Sequence, residues 1–135
     1  MRVLFDTNVV LDLLLDREPF STDAAHLFTQ VENGRLHGYL CATTLTTIHY
    51  LVTKGLGATH ATAHVKALLS LFEVAPVTRV VLESAVTAGF RDYEDAVVYE
   101  AARDVGVEVI VTRNLRDFSE AELTVLAPPT LLKML

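Results

Sequence analysis

Short apolar runs alternate along the sequence with longer segments in which apolar residues recur at helical spacing. The short runs contain many β-branched and aliphatic residues without in-out alternation, a pattern typical of strands that are buried on both faces. They predict five strands, at residues 2–5, 36–41, around Val74, 108–112 and 124–126. The run at 108–112, EVIVT, is the clearest of these.

Six segments carry an apolar stripe with the period of an amphipathic helix. We predict helices at residues 9–15, 23–31, 43–54, 58–72, 78–88 and 92–105. Gly55 and Gly57 separate the third from the fourth, and Gly106 ends the last, because glycine weakens or terminates helices. Pro128 and Pro129 are expected to break up the C-terminal tail.

The alternation of strands and helices predicts an α/β fold, a three-layer sandwich of about five mostly parallel strands with helices on both faces. With 135 residues, 51% of them apolar, the chain suits a single domain spanning residues 1–135. Cys41 is the only cysteine, and the N-terminal segment lacks a long apolar stretch. We therefore expect a cytoplasmic protein rather than an exported or membrane-inserted one.

The charge balance restricts how the chain can interact with nucleic acid. It has 17 acidic and 11 basic residues and a formal net charge of −6. Proteins that wrap long nucleic acids rely on many Lys and Arg contacts to phosphate. If this protein acts on nucleic acid, metal ions must offset the repulsion.

Carboxylates follow the predicted strands at the edge where a parallel sheet usually binds its ligands. Asp6 comes directly after the first strand, the loop RNLRD follows the EVIVT strand, and Asp95 lies in the first turn of a helix. Because the carboxyl ends of parallel strands share one edge, these acids are expected to converge. Clustered carboxylates repel one another and are stabilised by a cation, and an all-oxygen site suits Mg²⁺ or Mn²⁺.

Three stretches, VLFDTNVVLD, DYEDAVVYEAA and VIVTRNLRDF, occur in the order in which PIN domains carry their signature motifs. Each is weak alone, but together they span nearly the whole chain, which thus resembles the PIN-domain family and its VapC-type toxin ribonucleases. The resemblance implies a PIN-like sandwich and a divalent-metal-dependent endoribonuclease that hydrolyses RNA phosphodiester bonds. It further implies the toxin of a toxin-antitoxin pair, with a cognate antitoxin partner and a homodimer.

The same resemblance assigns roles to residues of this sequence. It implies that four residues are catalytic: Asp6, Asp95, Asn114 and Asp117. The metal ligands it implies are Asp6, Asp95, Glu94 and Asp117. Substrate contacts are expected from four further residues: Asn8, Thr112, Arg113 and Arg116.

One position departs from the family pattern. Many PIN enzymes carry a glutamate in the helix after the second strand, but this chain has Thr47 at that position. A hydroxyl does not supply the charge of a carboxylate, so metal affinity is expected to be lower. This leaves an alternative open, namely an RNA- or protein-binding module with weak or no catalysis. A second rival, an α/β phosphotransferase with Asp6 as nucleophile, is disfavoured because Asn8 replaces a second acid.

Structural roles compete with these functional interpretations. Asp6 can serve as a helix N-cap, and Asp92 with Asp95 can form a capping-box-like pair. Asp12 and Asp16 are expected on an exposed helix face, with Arg17 as their candidate partner.

The histidines and tyrosines can also be explained as surface or packing residues. His60 and His64 have a spacing that can chelate zinc, but no glutamate lies between them, so we expect surface residues. Tyr50, Tyr93 and Tyr99 can stack on bases, but at helical positions tyrosines more often pack against the core.

Overall fold

A computed structural model describes all residues from Met1 to Leu135. Its five strands are β1 (Arg2–Phe5), β2 (His37–Cys41), β3 (Glu73–Ala75), β4 (Val109–Val111) and β5 (Thr124–Leu126). All five lie in one sheet in the order β3-β2-β1-β4-β5, and every neighbouring pair is parallel. The predicted parallel sheet is confirmed, with each predicted strand present.

Seven α-helices connect and flank the strands. They are α1 (Thr7–Leu14), α2 (Ser21–Glu32), α3 (Ala42–Leu56), α4 (Ala58–Leu71), α5 (Arg79–Val86), α6 (Tyr93–Asp104) and α7 (Pro128–Lys133). A 3₁₀ helix, Leu115–Phe118, lies in the loop after β4. None of these helices combines the length and apolar character that crossing a bilayer requires.

The helix α7 was not predicted, and the expectation that Pro128 and Pro129 break up the tail was wrong. Both prolines stand at the first positions of α7. Proline is tolerated there because the first amide groups of a helix have no acceptor within it and the fixed φ already suits the helix. Leu131 then packs fully buried against the core.

The sheet separates two hydrophobic cores. Val3 and Phe5 on β1 pack with α1, α2, α3, α4 and α7 on one face, whereas Leu4, between them, packs with α5 and α6 on the other. Strand side chains alternate between the faces of a sheet, so a strand covered on both sides must be apolar throughout. The predicted three-layer sandwich is therefore confirmed.

An aromatic cluster closes the larger core. The rings of Phe5, Phe28 and Phe72 meet edge to face with centroids 5.1 to 5.7 Å apart. Gly38 on β2 lies against this cluster, and a Cβ atom built on it would stand 2.6 Å from ring atoms of Phe72. The absence of a side chain at residue 38 is thus what allows Phe72 to reach the sheet.

Candidate metal-binding active site

Asp6 occupies the junction between the central strand β1 and helix α1. Its amide donates to Val111 O at 3.0 Å, which extends the pairing of β1 with β4 by one residue. Its carboxylate caps α1, with Oδ1 accepting from the Thr7 amide at 2.9 Å. The predicted N-cap role is confirmed, and it leaves the second oxygen for other partners.

Two side chains donate hydrogen bonds to that second oxygen, Asp6 Oδ2. The Thr112 hydroxyl donates to Asp6 Oδ2 at 2.8 Å, and the Asn8 amide donates to the same atom at 3.2 Å. The Asp6 side chain is therefore fixed in direction, and the residue is only 8% exposed. Burial raises the pKa of Asp6, the bonds from Thr112 and Thr7 oppose that rise, and the charges of Asp117 and Glu94 add to it.

Asp95 lies in the first turn of α6, where Asp92 is the N-cap. The Asp95 amide donates to Asp92 Oδ1 at 3.1 Å, whereas the reciprocal bond of a full capping box is not formed. The carboxylate of Asp95 is thus not used by the cap. Partial burial, followed by the charges of Asp92, Asp6, Asp117 and Glu94, raises the pKa of Asp95 to about 7.

The elements that carry these acids end or begin at one edge of the parallel sheet. Asp6 follows β1, Glu94 and Asp95 begin α6, and Asp117 lies in the 3₁₀ helix after β4. Asp117 and Glu94 act on the pKa values of both Asp6 and Asp95, so the four form one acidic cluster. No three of its carboxylates already stand in a geometry that holds a metal ion.

The side chains of the acidic cluster differ in their freedom to move. Asp6 is buried and held by three hydrogen bonds, whereas Glu94 and Asp117 are exposed. The cluster therefore combines one fixed carboxylate with others that can turn. Oxygen donors of this kind suit Mg²⁺ or Mn²⁺ chemically, although they are not drawn together in advance.

Two residues expected to contact substrate instead support Asp6. Thr112 is fully buried, which does not fit a substrate contact. Asn8 bridges the Asp6 and Thr112 side chains, and its Oδ1 accepts from the Arg113 amide at 3.3 Å. Both side chains therefore position Asp6, because all their polar atoms are engaged within the chain.

Arg113 pairs with Asp12, an acid that we expected on an exposed helix face. Asp12 is 1% exposed, so the expected exposed position was wrong, although the predicted pairing with Arg17 is confirmed at 2.9 Å. Arg113 donates to both oxygens of Asp12, at 2.6 and 3.1 Å, and its guanidinium stacks on the Phe20 ring at 3.9 Å from the centroid. This arrangement ties the loop after β4 to α1 and engages the guanidinium that was expected to contact substrate.

The burial of Asp12 could have been predicted from its spacing along the helix. It follows Asn8 by four residues and Val9 by three, so it shares the inward face of α1 with both. Asp16, by contrast, is exposed as expected.

The remaining predicted residues lie around the rim. Arg116 and Asn114 are exposed, and the Asn114 amide donates to Thr112 Oγ1 at 3.0 Å. Thr47 lines a groove together with Glu94, so the neutral residue does stand beside the acidic cluster. His60 is exposed, as expected, whereas His64 on the same helix is half-buried.

Comparison with known proteins decides the family. The sequence profile of the PIN domain matches residues 2–116, which include every acid of the cluster except Asp117. This chain belongs to the PIN-domain family. As a PIN domain it carries Asp6 at the end of its first strand and Asp95 at the start of a late helix, as the resemblance implied. A comparison with curated proteins finds no match.

Solved structures support the PIN fold over nearly the whole chain. VapBC2 of Rickettsia felis, bound to a promoter DNA fragment, is similar with a TM-score of 0.71 and 14% identity, over 94% of this chain and 98% of that one. A toxin-antitoxin complex from Klebsiella pneumoniae gives 0.71 and 22% identity, over 93% and 97%. VapC20 of Mycobacterium tuberculosis, a sarcin-ricin loop cleaving toxin, gives 0.65 and 16% identity, over 80% and 86%.

Proposed function

We propose that this PIN domain is a divalent-metal-dependent endoribonuclease that hydrolyses RNA phosphodiester bonds. The observation that carries the proposal is the acidic cluster, in which Asp95 is partly buried and its pKa is raised to about 7 by that burial and then by the charges of Asp92, Asp6, Asp117 and Glu94. Such an accumulation of charge destabilises the protein unless protons or cations neutralise it. A cation bound at this edge of the sheet would neutralise that charge.

Asp6, Asp95, Glu94 and Asp117 would hold Mg²⁺ or Mn²⁺. A bound ion supplies positive charge toward a phosphate oxygen and makes water a better nucleophile toward phosphorus. Asp6 contributes a carboxylate of fixed direction, since Thr7, Asn8 and Thr112 bind it. Glu94 and Asp117 contribute side chains with freedom to turn toward an ion, which the proposal requires because no three acids are preassembled.

The rim supplies the contacts left for substrate. Arg116 and Asn114 are exposed and close to Asp117 in sequence, and in this proposal they would contact phosphate or orient water. With Arg113 bound to Asp12, few cations surround the acidic cluster. A short or unpaired stretch of RNA therefore suits this site better than a long bound tract.

We further propose that the chain is the toxin of a toxin-antitoxin pair. Support comes from the PIN fold it shares with chains of the Rickettsia and Klebsiella complexes. The cognate partner would be a small antitoxin protein that covers the acidic edge. A cytoplasmic homodimer is part of the same proposal, and gel filtration with light scattering tests the dimer.

The test is RNA cleavage by the purified chain with and without metal. Wild type is expected to cleave single-stranded RNA in Mn²⁺ or Mg²⁺ and to stop in EDTA. Asp6→Asn is expected to lower the rate by at least about a hundredfold while circular dichroism stays unchanged. Cleavage that persists in EDTA, or an Asp6→Asn variant as active as wild type, would contradict the proposal.

Thr47 supports a second candidate, a PIN-fold RNA- or protein-binding module with weak or no catalysis. It stands beside Glu94 where an additional acid would strengthen metal binding. Calorimetric titration with Mn²⁺ beside the cleavage assay separates the two functions. Metal binding without RNA turnover in wild type favours the binding module.

A further inference from the structure

A groove beside the acidic cluster is not used by the proposed chemistry. Thr43, Thr46 and Thr47 of α3 form one wall, Leu82 of α5 closes it, and α6 supplies the other wall with three residues, Tyr93, Glu94 and Val97. Its volume is about 390 Å³, which is ample for a planar heterocycle. Glu94 belongs to both the groove and the acidic cluster, so the two are continuous.

Tyr93 presents a fixed aromatic surface in this groove. Its hydroxyl donates to Leu82 O at 2.9 Å, which ties the start of α6 to α5. The residue is nevertheless 48% exposed, so the expectation that Tyr93 packs against the core was wrong. A ring held at its polar end and open to solvent is suited to stacking, because little conformational freedom remains to be lost on binding.

The charge that lines the groove favours a neutral ligand over a phosphate. No Lys or Arg lines it, and Glu94 is its one charged residue, so a phosphate would be repelled. A neutral flat base meets no such repulsion, and every base has a face that can stack on tyrosine. Thr46 Oγ1 donates to Thr43 O at 2.9 Å and Thr43 Oγ1 pairs with Cys41 Sγ at 3.2 Å, so the Thr47 hydroxyl is the one left to donate to or accept from the polar edge of the base.

We propose that this groove binds an unpaired nucleobase of the RNA, next to the phosphate held at the acidic cluster, with Tyr93 as its stacking platform. The inference rests on the proposed ribonuclease function and adds a base-recognition subsite to it. Tyr93 is a substrate-binding residue in this scheme, and it takes no part in the chemical step.

Steady-state cleavage of a short single-stranded RNA tests the subsite. Tyr93→Leu is expected to raise KM about tenfold and to leave kcat within about twofold, since stacking on one base contributes to binding. Tyr93→Phe keeps the ring but loses the bond to Leu82 O, and it is expected to raise KM by less than Tyr93→Leu does. Tyr50→Leu removes a comparably exposed tyrosine of α3 that lies outside the groove, and it is the matched control.

RNA substrates in which one nucleotide lacks its base allow a double-mutant cycle with Tyr93→Leu. With wild type, the abasic site at one position is expected to raise KM as much as Tyr93→Leu does, and the two changes together should add little. Additive effects, or an unchanged KM for Tyr93→Leu, would overturn the subsite. Thermal melts of the variants establish that each remains folded.

A binding measurement separates this inference from the proposed activity. RNA containing 2-aminopurine is titrated with the protein in Mg²⁺, and its fluorescence is expected to be quenched by wild type and Tyr50→Leu but not by Tyr93→Leu. Quenching without any cleavage would contradict the ribonuclease proposal and keep the subsite. Cleavage with equal quenching by wild type and Tyr93→Leu would reject the subsite alone, as would a groove shown to bind only a protein side chain.

Discussion

At the residue scale, Asp95 is expected to make the cation-free protein less stable as pH rises. Its pKa is about 7 in the folded chain and 3.8 in the reference state, so the folded state binds more protons between those values. Stability linked to this group is therefore present at low pH and lost as pH rises toward 7. Urea unfolding in EDTA at about pH 5 and about pH 8 measures the difference.

Asp95→Asn is the control for this pH dependence. The variant is expected to remain folded, to lose metal-dependent cleavage and to show a smaller stability difference between the two pH values. Added Mn²⁺ should stabilise wild type at the higher pH and the variant much less. A variant with the wild-type pH dependence would assign the effect to other groups.

The buried pairing of Asp12 with Arg113 and Arg17 predicts a large stability cost on neutralisation. Asp12→Asn keeps the side-chain volume but leaves two arginines without their shared acid, and we expect a loss of about 2–3 kcal/mol in unfolding free energy. Asp16→Asn, two residues past the end of the same helix, is exposed and is expected to change it by less than about 0.5 kcal/mol. Equal effects at both positions would mean that the buried ion pairs contribute nothing.

Thr47 predicts a gain of function. Thr47→Glu would add an acid beside Glu94 and is expected to tighten Mn²⁺ binding by about tenfold, because affinity rises with the number of charged ligands. Thr47→Gln has the same size without the charge and should leave the affinity unchanged. Calorimetric titration makes the comparison, and equal affinity of the two variants would show that position 47 does not reach the ion.

The sequence predicted the positions of the acids better than it predicted the side chains that pack and bond around them. Asp6 and Asp95 were recognisable because strand ends and helix starts meet at one edge of a parallel sheet. The burial of Thr112 and the Asp12–Arg113 pair were missed, since which side chain a loop arginine contacts depends on tertiary packing. Periodicity along one helix gives no information about a partner 101 residues away.

At the element scale, Gly38 is the position most sensitive to a small change. Gly38→Ala brings a methyl group within 2.6 Å of Phe72 and is expected to cost about 1–3 kcal/mol. Gly55→Ala in α3 meets nothing closer than 3.8 Å and should stabilise the protein by up to about 1 kcal/mol. Thermal or urea unfolding of the two variants checks the opposite signs.

Elements marked by an apolar run or by a helical period were predictable, and those set by local exceptions were not. The strand Thr124–Leu126 was predicted at its observed bounds, and α6 was predicted to within one residue at each end. Helix α7 was missed because proline reads as a helix breaker in sequence, although its place at a helix start removes the penalty. The 3₁₀ turn that carries Asp117 gave no periodic signal because it is only four residues long.

At the scale of the whole molecule, each face of the sheet is covered by its own hydrophobic core. The larger core lies under α1, α2, α3, α4 and α7, and the smaller one under α5 and α6. Asp6 stands at the end of the strand they share, while Glu94 and Asp95 arrive with α6 from the side of the smaller core. The net charge of −6 is compatible with the proposed function, since a site that uses a cation would not need a basic surface.

The acids of the cluster are supplied by residues 6, 94, 95 and 117 of a 135-residue chain. No N-terminal fragment shorter than 117 residues contains the complete set, and the loop with Asp117 follows β4, which pairs with β1. During translation, the acidic cluster is therefore incomplete until residue 117 has been added and β4 has paired with β1. A nascent chain that stops earlier has Asp6, Glu94 and Asp95 at most, and it lacks the acid of the 3₁₀ helix.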